Sequence, residues 1–234
     1  MIALDLTGRV VAVTGGFGAL GQAVGRGLLA AGARVALVDR AAAAPAEGGL
    51  EAALAVAQVD VGAPEGAVNA LAQVVAHFGR LDGLVNVAGG FRWETLEGGA
   101  VETWDLMYGM NLRTAVSAAR AALPHLPGDG TGRIVNIGAM AAAKAATGMG
   151  AYTAAKAGVA RLTEALAEEL KDSGVTVNAV LPSIIDTPAN RADMPQADFS
   201  RWVTPAQVAE VVVFLVSARA AAVTGACIPV AGRV

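Results

Sequence analysis

The chain has little of several residue types, and each scarcity excludes a class of protein. Its 234 residues include one cysteine, Cys227, so no disulfide can form within the chain. Charged residues make up only 16% and the net charge is −3, which provides no positive field for nucleic acid or an anionic membrane. The two histidines, His77 and His125, have no cysteine or carboxylate grouping nearby, so we expect no metal site.

Long apolar runs are also missing. The most apolar segment, VVVFLVSARAAAV at residues 211–223, is interrupted by Arg219 and is too short to span a bilayer. The first ten residues, MIALDLTGRV, lack the positive start and unbroken apolar stretch of a secretory signal. The sequence therefore predicts a cytoplasmic protein that does not associate with membranes.

Apolar residues make up 55% of the chain, enough for a large core. Short β-branched runs predict strands that begin at Arg9, Arg34, Leu54, Leu81, Gly132, Val175 and Ala226. Between them, helices are predicted to begin at Ala19, Pro64, Val101, Gly150 and Thr204. This alternation predicts one α/β domain over residues 1–234, a doubly wound parallel sheet of about seven strands. The low-complexity piece AAAAPAEGG at residues 41–49 is interpreted as a surface crossover loop.

A glycine-rich segment, TGGFGALG at residues 14–21, lies between the first predicted strand and the first predicted helix. Small side chains there let backbone N–H groups and a helix N-terminus approach a pyrophosphate. The pattern alone is a weak indication in a chain with 29 glycines, but its position favours dinucleotide binding. The candidate cofactor-binding residues of this segment are Gly15, Phe17, Ala19, Leu20 and Gly21.

Asp39 ends the second predicted strand, and Arg40 follows it. A carboxylate at this place accepts hydrogen bonds from the adenosine ribose hydroxyls and repels a 2′-phosphate, which predicts a preference for NAD(H). A turn or capping role is the alternative for Asp39. An arginine beside the carboxylate can accommodate the phosphate, so NADP is not excluded.

Tyr152 and Lys156 occur in the helical segment YTAAK, and their i, i+4 spacing puts phenol and ammonium on one helix face. A nearby cation stabilises phenolate, which predicts a lowered tyrosine pKa and acid–base catalysis. The alternative is an ordinary pair on a surface helix.

These features resemble the short-chain dehydrogenase/reductase family in order and spacing, over nearly the whole chain. The resemblance includes VDV at residues 59–61, NVAG at 86–89, Asn111, and LPSIIDTP at 181–188. It implies a Rossmann fold, NAD as cofactor and a small-molecule substrate. It also implies that Tyr152, Lys156 and Asn111 are catalytic, with Asn111 holding a proton-relay water and Lys156 also binding the nicotinamide ribose. The cofactor-binding residues it adds are Asp60, Val61, Asn86, Ala88, Gly89, Pro182, Ile185 and Thr187.

Three positions depart from the family pattern. Ser183 replaces a glycine, Val87 replaces an asparagine, and Ala139 stands where the family carries its catalytic serine. Such a serine donates a hydrogen bond to a developing alkoxide, and losing a donor of this kind raises the barrier by about 3 kcal/mol. Ser183 and Thr147 are the nearest replacements in sequence. Either the chain is inactive, or its substrate does not need this donor.

The dihydropteridine reductase subfamily has the same gap and is similar to this chain in residues 15–21, 87–90, 138–152 and 185–205. A quinonoid dihydropterin is a conjugated imine, so added charge delocalises and no localised alkoxide forms. Trp93 and Trp202 are candidates to stack on a flat heterocycle, or else are loop anchors. Asn111 matches the general family rather than this subfamily.

The leading prediction is therefore an NADH-dependent reductase of a dihydropterin-like conjugated imine, with Tyr152 as proton donor. Two alternatives remain open: a carbonyl or alcohol oxidoreductase of unknown substrate, and a non-catalytic NAD-binding regulatory protein. Residues 101–123 and 150–170 carry small side chains on one face, and in the family these helices pair across a twofold axis. The resemblance thus implies a homodimer or homotetramer.

Overall fold

A computed structural model describes residues 4–43 and 48–234 of the chain. In these residues seven parallel strands form one sheet in the order β3-β2-β1-β4-β5-β6-β7. The strands are β1 (Val10–Thr14), β2 (Arg34–Val38), β3 (Leu54–Val56), β4 (Gly83–Asn86), β5 (Arg133–Ile137), β6 (Thr176–Pro182) and β7 (Cys227–Val230). The predicted α/β fold with a doubly wound parallel sheet is confirmed. Part of the predicted crossover loop, residues 44–47, lies outside the described residues.

The α-helices are α1 (Ala19–Ala30), α2 (Pro64–Phe78), α3 (Val101–Tyr108), α4 (Thr114–Ala122), α5 (Gly150–Glu169), α6 (Pro188–Asp193) and α7 (Pro205–Val216). Local chemistry explains where several of them begin and end. At α7 the Thr204 side chain and Gln207 form a capping box, and Pro205 occupies the first turn. Helix α2 ends at Gly79, which adopts the left-handed conformation with φ 81°.

Both faces of the sheet are covered, because successive strand residues point to opposite sides. In β1, Val11 and Val13 pack with α1 and α7, whereas Val10 and Ala12 pack with α2 and α4. Each core layer is built largely from valine, leucine and alanine. This arrangement brings the carboxyl ends of all the parallel strands to one edge of the sheet.

Three elements differ from the sequence prediction. The predicted strand from Leu54 ends at Val56, because Gln58 adopts a left-handed φ of 58° that breaks the extended backbone. The helix predicted from Val101 is interrupted by a π-helical turn (Gly109–Arg113) before α4 continues. Helix α6 was not predicted, since six residues are too few to show a helical period.

No helix in the described ranges is long and apolar enough to cross a bilayer.

Candidate active site

The carboxyl ends of the strands border a cleft of about 1710 Å³. The segments that follow β1 and β4 line it, and the strand order reverses between these two strands, which is the usual ligand position in a doubly wound sheet. The predicted site residues that line it are Gly15, Ala19, Leu20, Gly21, Asp39, Arg40, Asp60, Val61, Ala88, Gly89, Asn111, Tyr152, Lys156, Pro182, Ile185 and Thr187.

The first wall of the cleft is the turn from β1 into α1. Gly15 has φ 64°, and a Cβ atom on it would lie 2.8 Å from the Ala88 backbone. A Cβ on Gly21 would overlap the carbonyl oxygen of Gly15, so only glycine fits. Helix α1 has neither a side-chain cap nor an acidic residue in its first turn, which leaves its positive N-terminus free for an anion. These features fit a pyrophosphate.

Asp39 lies at the end of β2, and hydrogen bonds to the backbone fix its carboxylate. Oδ2 accepts from the Phe17 N–H at 3.0 Å, and Oδ1 accepts from the Ala41 N–H at 3.0 Å. Asp39 and the exposed Arg40 both line the cleft. Because a carboxylate has about four acceptor positions, Asp39 can still accept from ribose hydroxyls.

Tyr152 and Lys156 lie one turn apart on α5 and both line the cleft. The Lys156 ammonium is buried and donates to the carbonyl oxygen of Ile137 at 2.8 Å. Burial raises the pKa of Tyr152 to about 12 and lowers the pKa of Lys156 to about 8. The predicted lowering of the tyrosine pKa is therefore wrong for this structure, because desolvation dominates and the ammonium is directed at a carbonyl oxygen.

Asn111 lies in the π-helical turn, a feature often found at functional sites. Its Oδ1 accepts from the Gly90 N–H at 3.2 Å, and its Nδ2 donates to the Gly90 carbonyl at 3.0 Å. A second bond from Nδ2 reaches the Met107 carbonyl at 3.0 Å. The Asn111 amide thus fixes the loop after β4. Both Nδ2 hydrogens are used, so only Oδ1 can take a further hydrogen bond, as an acceptor.

Ala139 lines the cleft, as do Tyr152 and Ser183. The Ser183 hydroxyl donates to the Ala231 carbonyl at 2.7 Å, so its proton is committed away from a substrate. Thr147 is exposed and does not line the cleft. Neither proposed replacement therefore supplies the hydrogen bond that a serine at position 139 would donate.

Besides Thr147, three candidate site residues do not line the cleft. The Phe17 side chain is buried among core residues, although its N–H holds Asp39. Asn86 donates to Asn136 Oδ1 at 2.9 Å, which ties β4 to β5. Trp202 is 7% exposed and packs on Phe199 with ring centroids 4.8 Å apart, so it acts as a loop anchor rather than a stacking surface.

Sequence reasoning missed an apolar group of cleft residues. Phe91 contacts the Tyr152 ring edge-to-face, with centroids 5.0 Å apart. Four of the six methionines also line the cleft: Met110, Met140, Met149 and Met194. They come from four separate segments, and no spacing in the sequence connects them. In the described residues, no three histidine, cysteine or acidic side chains form a metal-binding group.

Comparison with known proteins identifies the family. The profile of the short chain dehydrogenase family matches residues 9–198. The chain is 35% identical to the 2-(R)-hydroxypropyl-CoM dehydrogenase of Xanthobacter autotrophicus, over 96% of this chain and 97% of that protein. It is 36% identical to the acetoacetyl-CoA reductase of Rhizobium meliloti, over the same shares of the two chains.

Among solved structures, the chain resembles the 3-ketoacyl-(acyl-carrier-protein) reductase of Brucella melitensis complexed with NADH. The TM-score is 0.87 at 29% identity, covering 97% of this chain and 98% of that one. The chain belongs to the short-chain dehydrogenase/reductase family of oxidoreductases. None of these three proteins is a dihydropteridine reductase, so the resemblance to that subfamily has no support from them.

Proposed function

We propose that the protein is an NADH-dependent reductase of a conjugated acceptor, such as a quinonoid dihydropterin. A nicotinamide bound in the cleft supplies the hydride. The glycine turn and the N-terminus of α1 hold the pyrophosphate, Asp39 holds the adenosine ribose, and Asp60 and Val61 flank the adenine. Ala88, Gly89, Pro182, Ile185 and Thr187 line the remainder of the cofactor cleft.

Asp39 supports a preference for NADH. Its carboxylate, held by two backbone N–H groups, is repelled by a 2′-phosphate and accepts from ribose hydroxyls. We expect kcat/KM to be at least tenfold higher with NADH than with NADPH. Equal values for the two cofactors would contradict this preference and would show that Arg40 accommodates the phosphate.

Tyr152 serves as the proton donor in the direction of reduction. With its pKa raised to about 12, the phenol is protonated at neutral pH. Lys156 stabilises the phenolate that remains once the proton has moved to the acceptor nitrogen, and it also binds the nicotinamide ribose. Asn111 holds a water that returns a proton to the tyrosine.

The choice of a conjugated acceptor rests on one observation: position 139, where the family carries its catalytic serine, has no hydroxyl group. Ala139 has none, Ser183 donates elsewhere, and Thr147 lies outside the cleft. Reduction of a ketone forms a localised alkoxide. Without a hydrogen-bond donor at this place, the transition state loses about 3 kcal/mol of stabilisation. A conjugated imine spreads the added electrons over its ring system and needs only the proton from Tyr152.

A carbonyl or alcohol oxidoreductase is the second candidate, and the names of the relatives favour it. A non-catalytic NAD-binding protein is the third candidate, favoured by Ala139 and opposed by the retained Tyr152 and Lys156. Steady-state NADH oxidation with quinonoid dihydropterin beside a panel of ketones separates the three. Turnover of the pterin supports the proposal, turnover of ketones alone supports the second candidate, and NADH binding without turnover supports the third.

We also propose that the protein is a homodimer or homotetramer. An apolar stripe runs along α3 and α4, with Val101, Trp104, Tyr108 and Val116 between 39% and 73% exposed. Val101, Trp104 and Tyr108 are three and four residues apart, which places them on one face of α3, and Val116 follows on α4 beyond the π-helical turn. Several large apolar side chains exposed along neighbouring helices are typical of an interface.

A further inference from the structure

The end of the cleft at Tyr152 is lined by large apolar side chains. Two aromatic side chains there are largely exposed, Phe91 at 51% and Trp93 at 60%. The four methionines and Leu106 also line the cleft. Large exposed apolar side chains in a cleft indicate an apolar ligand, and methionine adapts to its shape.

The position of Trp93 is fixed by its neighbours. The indole packs against Gly148, where a Cβ atom would overlap the ring. The N–H of Glu94 donates to the Gly148 carbonyl at 2.9 Å, which holds the loop next to α5. Trp93 therefore offers a fixed ring face at the cleft, and Phe91 packs against the Tyr152 ring close to the proton donor. Such a wall suits a flat molecule.

The charges at this end of the cleft have one sign. Asp105 on α3 and Asp193 on α6 line the cleft, and neither forms an ion pair in the part of the chain that the structure describes. Besides Lys156, the basic lining residues among those described are Arg40 and Arg113.

Both arginines adjoin residues at the adenosine end of the cleft. Arg40 follows Asp39 at the end of β2. Arg113 precedes Thr114. The Thr114 methyl group lies 3.6 Å from the position that a Cβ atom on Gly62 would occupy, and Gly62 directly follows the adenine-binding candidates Asp60 and Val61. The buried Lys156 ammonium donates to Ile137. Among the described residues that line the cleft, none is therefore a cation placed to hold an anionic group of a substrate, and two carboxylates repel one; Arg92, exposed between Phe91 and Trp93, does not line the cleft.

We infer that the substrate is a flat, uncharged compound, and that the cleft rejects substrates carrying a phosphate, sulfonate or carboxylate. This inference rests on the proposed function and names its substrate class. It separates this chain from enzymes whose substrates carry an anionic group close to the reacting atoms.

Calorimetric titration of the NADH-loaded Tyr152→Phe protein at low salt tests this inference without turnover. The probes are methyl 4-acetylbenzoate and 4-acetylbenzoate, which share a flat acetylphenyl group and differ in charge. NADH alone is titrated first, so a failure to bind cofactor counts against the proposed function rather than against the substrate class. We expect the neutral ester to bind at least fivefold more tightly than the anion.

A charge reversal supplies the matched comparison. On the same background, Asp193→Lys should tighten binding of 4-acetylbenzoate several-fold and leave the ester nearly unchanged. Asp172→Lys makes the same change in net charge at an exposed position outside the cleft, and it should alter neither value. The inference is overturned if the anion binds as tightly as the ester, if the ester does not bind, or if the two lysine variants behave alike.

Discussion

At the scale of single residues, the side chain at position 139 decides which acceptors can be reduced. Ala139 is 6% exposed and lines the cleft, so a serine there places a hydroxyl in the site with little added volume. We expect Ala139→Ser to leave pterin reduction within a few-fold of the parent, because no alkoxide forms. The rate of any weak ketone reduction should rise, because the serine hydroxyl restores part of the roughly 3 kcal/mol by which such a donor stabilises the transition state.

Steady-state kinetics with both acceptors measure this pair of effects. Robust ketone reduction by the parent, no response to dihydropterin and no gain from serine would contradict the account. In that event Ser183 would have to release its bond to Ala231 and act as the donor.

The buried Lys156 should make stability depend on pH. Its pKa is about 8 in the folded protein and 10.5 in the unfolded chain, so between these values the unfolded state binds more protons. The free energy of unfolding therefore rises from pH 8 to 10.5, by up to about 3 kcal/mol from this group. Denaturant unfolding of the parent and of Lys156→Met across this range measures the effect. A constant difference between the two proteins would show that Lys156 is not desolvated.

At the scale of elements, the contact between the Trp93 loop and the start of α5 should set substrate affinity. Gly148 has φ 74°, and a methyl group there would displace the indole. We expect Gly148→Ala to raise the KM for the acceptor several-fold and to leave the KM for NADH unchanged. Gly130→Ala is the control, since Gly130 has φ 85° but open space around its Cβ position.

The strain of an alanine at positive φ is common to both glycine variants, at about 1 kcal/mol. Only the displacement of Trp93 is specific to position 148. Equal acceptor KM values in the two variants would show that Trp93 does not contact the substrate.

The elements that could be predicted from the sequence are those with a strong local signal. Buried parallel strands are continuous apolar runs, so the predicted strand from Arg34 coincides with β2. Helix α6 has too few residues for a period, and the burial of Trp202 depends on packing against Phe199. The Ser183 bond joins residues 48 positions apart, and only the fold brings them together.

At the scale of the whole molecule, the apolar stripe on α3 and α4 should determine assembly. We expect light scattering at micromolar concentration to report a dimer or tetramer rather than the 23.3 kDa chain. Val116→Arg should shift the parent toward monomer, because it places a charge on the stripe.

Val68→Arg is the matched control, since Val68 is 54% exposed on α2, away from the stripe. A monomeric parent would contradict the predicted assembly. Equal dissociation of the two arginine variants would show that the interface lies elsewhere.

The central claim is that Tyr152 transfers the proton in the nicotinamide cleft, and the two tyrosines of the chain test it most directly. Tyr152 lines the cleft, whereas Tyr108 is 52% exposed and does not. NADH oxidation with quinonoid dihydropterin is compared for Tyr152→Phe and Tyr108→Phe, with NADH affinity measured alongside. We expect Tyr152→Phe to lower kcat by roughly 10- to 100-fold and to leave NADH affinity nearly unchanged. This loss of kcat should be smaller than the loss for reduction of a ketone, because the acceptor nitrogen also takes up protons from water. Tyr108→Phe should stay within about twofold of the parent. Parental turnover by Tyr152→Phe, or an equal loss in both variants, would contradict the account.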